Sequence, residues 1–350
     1  MKKLKIGYFP YASDMSHPSD RRRFGFWARH RQHEIVINPQ EFVDVIVVSE
    51  RVNLARVLQK SHGTPLVFDL IDAYLVRDSA WKDYARGVGK VLTGQVSVAP
   101  KAFTTIVQDF CHESSAVICS SPEQEATIKP FATNTHVILD SHDEFPLLPF
   151  HSKNEMSSER LEIVWEGMPY TLGAINEVSD ALQFETHGEP LLLNVVTDPN
   201  YFRFFGKYFR QSTQDLLVKR LGSKSKQAIL IPWERNSLIS AAKSASAAVI
   251  PITGNDPFQQ MKPENRLLIM WRLGLPCLTS ATPSYLRVSA AATVDTICRT
   301  PTEWSQKLSN LFADPSSSEL IVKKGQRYLN EFHNTEILLQ KWDSAIKSVL

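Results

Sequence analysis

AAVIPITGNDPFQQMKPENRLLIMWRLGLPCLTSATPSY, residues Ala247–Tyr285, is the stretch whose reading decides the fold. Ala247 to Pro251 is apolar, of strand length, and reads as a buried strand. A polar loop follows, then a helix-like segment from Glu264 to Leu273. Gly274 ends the helix, and Pro276 leads into a second apolar run, Cys277 to Thr279. Strand, loop, helix, glycine, strand is a βαβ unit, which binds ligands where the carboxyl end of a strand meets the amino end of the next helix. Lys262, Glu264, Asn265 and Arg266 gather at that point. Charges and helix N–H groups there are aimed at an anionic or hydroxyl-rich ligand.

Working outward, the same rhythm recurs. Apolar runs of strand length lie at Leu4–Phe9, Glu34–Ile37, Val43–Val48, Pro65–Leu70, Ala116–Cys119 and His136–Leu139. Helix-like stretches separate several of them, such as Val52–Gln59 and Glu123–Ile128, the latter behind Ser120, Ser121 and Pro122, a cap with proline in the first turn. Alternating strands and helices imply a mainly parallel sheet covered on both faces. After Pro149 the sequence turns polar and aperiodic, and residues 150–160 read as a linker. A second series begins at Leu161–Trp165 and continues through Leu191–Val196, Ala228–Ile231, Ala247–Ile250, Cys277–Thr279 and Thr293–Ile297, with helices over Leu172–Leu182, Ser237–Ser244 and Glu264–Leu273. The expected organisation is an α/β domain over 1–149, the linker, a second α/β domain over 161–325, and a C-terminal helix over 326–350. Within the last, Leu329, Phe332, Ile337, Leu338, Trp342, Ile346 and Leu350 form an apolar stripe suited to core packing.

Composition narrows the function. A chain of 350 residues with 43% hydrophobic and 22% charged residues is that of a soluble globular protein of two domains. A net charge of +2 argues against a dedicated nucleic-acid binder. Charge is nevertheless uneven: Lys2, Lys3, Lys5, Arg21, Arg22, Arg23, Arg29 and Arg31 face only Asp14 and Asp20 in the first thirty-one residues. This segment is either a solvated basic surface or a patch for phosphate or peripheral membrane contact. MKKLKIGYFPY lacks the apolar length and small-residue cleavage site of a signal peptide, and no run reaches transmembrane length. Cys111, Cys119, Cys277 and Cys298 form no CxxC pair, and Cys119 and Cys277 sit inside apolar strand-like runs, so buried reduced thiols are expected at those two and a cytoplasmic location, with or without membrane association, for the protein. No P-loop, GxSxG, HExxH or GxGxxG stands in a supporting context.

Several segments together resemble group 1, family 4-like glycosyltransferases of the GT-B fold. IVWEGMPYTLGAINEVSDAL is similar to the strand, glycine and helix that open the family's donor domain. ILIPWERNSLISAAKSASAAVIPI resembles its tryptophan, helix and strand ending "PI", and KPENRLLIMWRLGLPCLTS its nucleotide-sugar segment ending "GxP". GTPLVFDLIDAY resembles the strand that carries an aspartate at the domain cleft, and SSAVICSSPEQEATI the last strand and helix before the crossover. The resemblance implies two Rossmann-like domains facing a cleft, with the C-terminal helix packing back across them. It further implies sugar transfer from a nucleotide-diphosphate donor to a hydroxyl acceptor, a glycan or lipid-linked glycan, with no metal or other cofactor. Characterised members mostly retain anomeric configuration, so retention is expected here, in bacterial polysaccharide or glycolipid assembly.

Under that resemblance the donor-side residues are Gly167, Thr197, Trp233, Glu234, Lys262, Glu264, Asn265 and Arg266. Lys262 and Arg266 suit a diphosphate, Asn265 and Glu264 suit hydroxyls, and Trp233 suits a base or, equally, the core. Glu264 behind Pro263 also reads as a first-turn acid favoured by the helix dipole. On the acceptor side Asp72 stands past its strand, as general base or as acceptor contact. Asp69 lies within that strand. The loop after the first strand carries Ser13, Asp14, His17 and Asp20 in place of the family's glycine-rich turn, as phosphate or acceptor contacts or, for Asp20, as a helix cap. Two departures stand out. Ile269 occupies the position of the glutamate that holds ribose in many relatives, and Gly167 precedes Met168, Pro169 and Tyr170 rather than a basic pair. These departures motivate an alternative, a catalytically inactive GT-B-like binding or assembly protein; a third reading is a sugar-nucleotide epimerase of similar two-domain shape.

Overall fold

The structure is a computed structural model. It describes all residues except 1, 61–62, 77–79, 93–100, 152–160, 180–184, 187–188, 204–207 and 255, so most of the expected linker lies outside the described residues. The chain divides into two compact units. Unit 1 comprises Met1–Ser141, Asp256–Pro263 and His333–Leu350, and unit 2 comprises His142–Asn255 and Glu264–Phe332.

Unit 1 is built on a parallel sheet of β1 (Lys5–Phe9), β2 (Glu34–Ile37), β3 (Val45–Ser49), β4 (Leu66–Leu70), β5 (Ala116–Cys119) and β6 (Thr135–Val137), in the order β2-β1-β3-β4-β5-β6. Its helices are α1 (Pro18–Arg21), α2 (Phe24–His30), α3 (Leu54–Lys60), α4 (Ala80–Leu92), α5 (Phe103–Glu113) and α6 (Pro122–Ile128). The Ser121 hydroxyl accepts the Gln124 amide, the cap that the sequence announces for α6. Strand residues alternate between two cores, which is why these strands are apolar throughout. Ile46, Val48, Leu66, Phe68, Val117 and Cys119 meet Phe103, Val107 and Phe110 of α5. Ile6, Tyr8, Val45, Val47, Val67 and Ile118 meet Phe24 and Trp27 of α2 together with Trp342 and Ile346 near the C-terminus.

Unit 2 repeats the plan. It contains β7 (Glu162–Glu166), a short ribbon of β8 (Glu185–Thr186) and β9 (Glu189–Pro190), β10 (Leu192–Thr197), a hairpin of β11 (Asn200–Arg203) and β12 (Tyr208–Ser212), then β13 (Ala228–Pro232), β14 (Ala247–Ile250), β15 (Cys277–Ser280) and β16 (Ile297–Cys298). Six of these form a parallel sheet in the order β13-β10-β7-β14-β15-β16. The helices that follow α6 along the chain are α7 (Thr213–Leu221), α8 (Arg235–Ser244), α9 (Pro257–Gln260), α10 (Asn265–Arg272), α11 (Pro283–Ala292), α12 (Pro301–Ala313), α13 (Pro315–Phe332) and α14 (Thr335–Lys347). Of these, α9 and α14 belong to unit 1. Gly274 adopts φ +79, and a Cβ there would meet the Pro149 carbonyl oxygen at 2.2 Å, so glycine is required where α10 turns into β15.

Three expectations shift. The helix expected from Leu172 is a 3-10 helix over Pro169–Val178, and residues 180–182 lie outside the described ones. The last strand begins at Ile297 rather than Thr293, because Thr293 takes a left-handed conformation (φ 56) that closes α11. The terminal stripe is split: Asn334 caps a new helix, so Leu329 packs in unit 2 while Leu338, Trp342 and Ile346 pack in unit 1. Phe332, the last residue of α13, and Leu350, beyond α14, stay exposed. Trp342 stacks on Trp27, and the Trp27 indole N–H donates to Asp343, which also pairs with Arg31.

The basic N-terminal segment is partly neutralised. Lys5 pairs with Glu41, Arg31 pairs with Glu336 and Asp343, and Arg23 is fully buried. The Arg23 guanidinium binds Asp69 through two nitrogens, Asp140 at 3.1 Å, and the Ile138 carbonyl at 2.8 Å. One cation thus joins the start of α2 to the carboxyl ends of β4 and β6. All four cysteines are free and buried, and among the described residues no helix is long and apolar enough to cross a membrane. Removing one member of a buried ion pair costs about 3–5 kcal/mol, because the other charge is left uncompensated. Arg23→Met is therefore expected to lose that much stability in urea unfolding, and Arg23→Met with Asp69→Leu to recover part of it.

Candidate active site

In open parallel sheets ligands bind beyond the carboxyl ends of the strands, where the strand order reverses. In unit 1 the reversal lies between β1 and β3. Tyr11 follows β1, Glu50 follows β3, and Asp72 stands two residues past β4. Asp20 is fully buried and accepts from the Tyr8 hydroxyl (2.7 Å) and the amides of Tyr11 (2.8 Å) and Ala12 (3.0 Å). It ties the loop to β1 and does not line an open pocket. The cap of α1 is His17, whose Nδ1 accepts the Ser19 amide. Its ring stacks on Tyr11 at 4.8 Å, and burial and the nearby Arg51 push its pKa down, which keeps the imidazole neutral at pH 7. Ser13 and Asp14 are exposed, and Asp14 closes a local turn by accepting the Ser16 amide.

Asp72 pairs with Lys262. This lysine comes from Asp256–Pro263, a segment opened by Asp256 as the cap of α9 and packed through Phe258 against Tyr74, with ring centroids 5.7 Å apart. Sequence proximity groups Lys262 with Glu264; the structure places it in unit 1, on Asp72. Asp69 belongs to Arg23. Glu50 escapes a sequence reading although it is the more unusual group. It is 4% exposed, and one of its oxygens accepts both the Ile71 amide (2.9 Å) and the Asp72 amide (3.0 Å). Burial, reinforced by the negative charge of Asp72, raises its pKa to about 7. An acid immediately after the run VDVIVVS was the available signal.

In unit 2 the order reverses between β7 and β14. Gly167 follows β7, and Arg266, in the first turn of α10, donates to the Glu166 carbonyl at 3.0 Å. A Cβ on Gly167 would lie 3.0 Å from the Trp165 ring and 3.1 Å from the Arg266 guanidinium, so the bare backbone is what admits the arginine. The Trp233 indole N–H donates to the Glu166 carboxylate (3.0 Å), and the Trp233 amide donates to the Thr197 carbonyl (3.0 Å). The Thr197 side chain itself is fully buried, and its hydroxyl has no partner among the described residues, so only its backbone takes part in the edge. Glu234 is exposed at the start of α8. Asn265 meets the His142 ring at 3.0 Å.

Glu264 is 3% exposed, and both its oxygens accept from Arg287 of α11, at 3.1 and 3.0 Å. Its carboxylate is thereby committed to an ion pair. Ile269 is buried in α10. Arg266 also faces Tyr285, whose hydroxyl burial pushes up to about 12 despite that cation. The edge therefore offers a guanidinium and the first amides of α10, which carry no side-chain cap among the described residues, a combination suited to phosphate oxygens.

Two Rossmann-type sheets in one chain, with C-terminal helix α14 returning to unit 1, define the GT-B fold of glycosyltransferases. Comparison with solved structures gives that fold independently. HepE from Anabaena, solved with UDP-glucose, is similar over 99% of this chain and 100% of its own, at 12% identity and a TM-score of 0.66. WaaG, a glycosyltransferase involved in lipopolysaccharide biosynthesis, is similar over 97% and 98%, at 9% identity and a TM-score of 0.57. Sucrose-phosphate synthase from Thermosynechococcus elongatus is similar over 93% of this chain and 75% of its own, at 13% identity and a TM-score of 0.59. No protein-family model matches the sequence, and no curated protein matches it by sequence.

The raised pKa of Glu50 carries a sign. An unfolded glutamate releases its proton near pH 4.5, whereas folded Glu50 holds it to about 7. Between those values the folded state binds more protons, so this group makes stability fall as pH rises. Glu50→Gln lacks the effect. Its stability relative to the parent is expected to rise by about 3 kcal/mol from pH 4.5 to pH 7.5, read from urea unfolding at the two pH values.

Proposed function

We propose that the chain is a glycosyltransferase that moves a sugar from a nucleotide-diphosphate donor to a hydroxyl acceptor. The observation that carries this reading is the edge of unit 2, where Gly167 admits Arg266 beside the start of α10 at the switch point of a Rossmann sheet. Full-length similarity to a structure solved with UDP-glucose supports a nucleotide sugar as donor. Arg266 and the α10 amides would take the diphosphate, with Asn265 beside them for a hydroxyl, and Trp233 would present its ring to the base. Arg287 claims Glu264, and an apolar side chain fills position 269, so ribose is held by other groups than in many relatives.

Acceptor binding falls to the Asp72 edge of unit 1. With retention of configuration, the reading taken here, the protein has to orient the acceptor and stabilise the departing diphosphate, so Asp72 holds the acceptor hydroxyl rather than acting as an obligatory base. Likeness to WaaG favours surface polysaccharide or glycolipid assembly as the setting. The committed Glu264 favours one alternative, a GT-B-like binding protein without turnover.

Transfer and donor hydrolysis across UDP, GDP and deoxythymidine diphosphate sugars, with calorimetric nucleotide binding, test the reading. One nucleotide sugar should bind and turn over. Binding without turnover selects the alternative, and absence of binding at millimolar concentration refutes the donor assignment. Arg266→Ala should weaken nucleotide-diphosphate binding about 10- to 100-fold, as expected for losing charge-assisted hydrogen bonds, and leave nucleoside binding little changed.

A further inference from the structure

We propose that Glu50 is a positioning residue of the acceptor edge: it fixes the turn that presents the Asp72 carboxylate, and the acceptor hydroxyl binds at the Asp72–Lys262 pair. The proposal rests on the transferase reading above and adds to it the residue that organises the acceptor side.

The backbone from Leu70 to Asp72 is held by side chains, with the Tyr74 amide adding a bond to the Asp72 carbonyl. Gln124 Nε2 donates to the Leu70 carbonyl (2.9 Å) and to the Asp72 carbonyl (3.1 Å). The Ser120 hydroxyl donates to the Ile71 carbonyl (3.1 Å), and Glu50 accepts the amides of Ile71 and Asp72. Gln124 is itself fixed, because its Oε1 accepts the Ser120 amide at 2.7 Å. A turn at a strand end would ordinarily be hydrated. Here three side chains replace water, while the Asp72 carboxylate stays about a quarter exposed with Lys262 as its partner. Holding a functional carboxylate by its backbone, with its head left open, is how a site is preorganised.

Glu50 is also a costly residue for this place. It is buried, and no cation lies within ion-pair distance of it among the described residues, whereas a glutamine would accept the same two amides. The charged and titratable groups around it are Asp72, Lys262 and the Tyr11 hydroxyl, with Tyr74 and Arg51 next to Tyr11. A buried acid at a sheet's switch point that binds the backbone of a second, open acid points to function rather than to packing.

The test compares Glu50→Gln, Glu50→Asp and Glu50→Ala with the parent in steady-state transfer, alongside amide NMR of Ile71 and Asp72 in deuterated protein as pH is varied. Both amide protons should shift together as Glu50 ionises near neutrality, and Glu50→Gln should abolish that shift. Glu50→Ala and Glu50→Asp should lower kcat/KM for the acceptor by roughly tenfold or more while donor binding changes less than about twofold, and Glu50→Gln should restore most of the loss. Amides that ignore pH, or an Ala variant that loses donor binding and acceptor use in parallel, would overturn the proposal. Amide titration with no transfer from any donor would also overturn the acceptor role and would refute the transferase reading separately, since the NMR result does not depend on turnover.

Discussion

One guanidinium sets the charge balance on which the carboxyl edge of unit 1 is built. Arg23 is fully enclosed and neutralises Asp69 and Asp140 while capturing the Ile138 carbonyl, so the ends of β4 and β6 and the start of α2 meet on a single cation. Without it the sheet edge would hold two buried anions, an arrangement more costly than any nearby hydrophobic contact offsets. With it, Leu70 to Asp72 can leave β4 in a fixed direction, and Gln124, Ser120 and Glu50 take over the turn. The acidic edge is thus layered: a fully paired acid inside, a buried acid that grips backbone amides, and an outer acid paired with Lys262.

Unit 2 solves the opposite problem with the same topology. At its edge a glycine replaces a side chain, an arginine leans onto the Glu166 carbonyl, and a helix starts there without a side-chain cap among the described residues, so the edge favours negative charge. Two of its acids already have partners: Glu264 is spent on Arg287, and Glu166 binds the Trp233 indole, while Glu234 stays exposed. That distribution of charge separates the chemistry of the two sheets even though their strand patterns are alike.

Much of the fold was legible because its causes are local. Strands β5 and β14 fall on the apolar runs read from sequence and the other central strands differ from them by a residue or two, since strands buried on both faces must be apolar throughout; the edge strand β2 also falls on its run. Caps and breakers were equally plain at Ser121, Pro122 and Gly274. The misses have local causes that composition does not encode, such as the left-handed Thr293 and the Asn334 cap that divides an apparently continuous stripe between two cores.

By itself the sequence determined two α/β units, a GT-B-like order of elements, and a polar group at the start of α10. Only the tertiary structure decided what those polar residues do. Glu264, Asn265 and Arg266 are neighbours in sequence, yet one is buried on Arg287, one meets His142 and one leans on Glu166. Lys262, two residues earlier, belongs to the other unit and to Asp72. A charged side chain takes its meaning from the opposite charge or dipole within a few ångströms, and for Glu264, Arg266 and Lys262 that partner lies 23 to 190 residues away in the chain. Periodicity reports which face is buried, but it carries no record of which distant charge waits there.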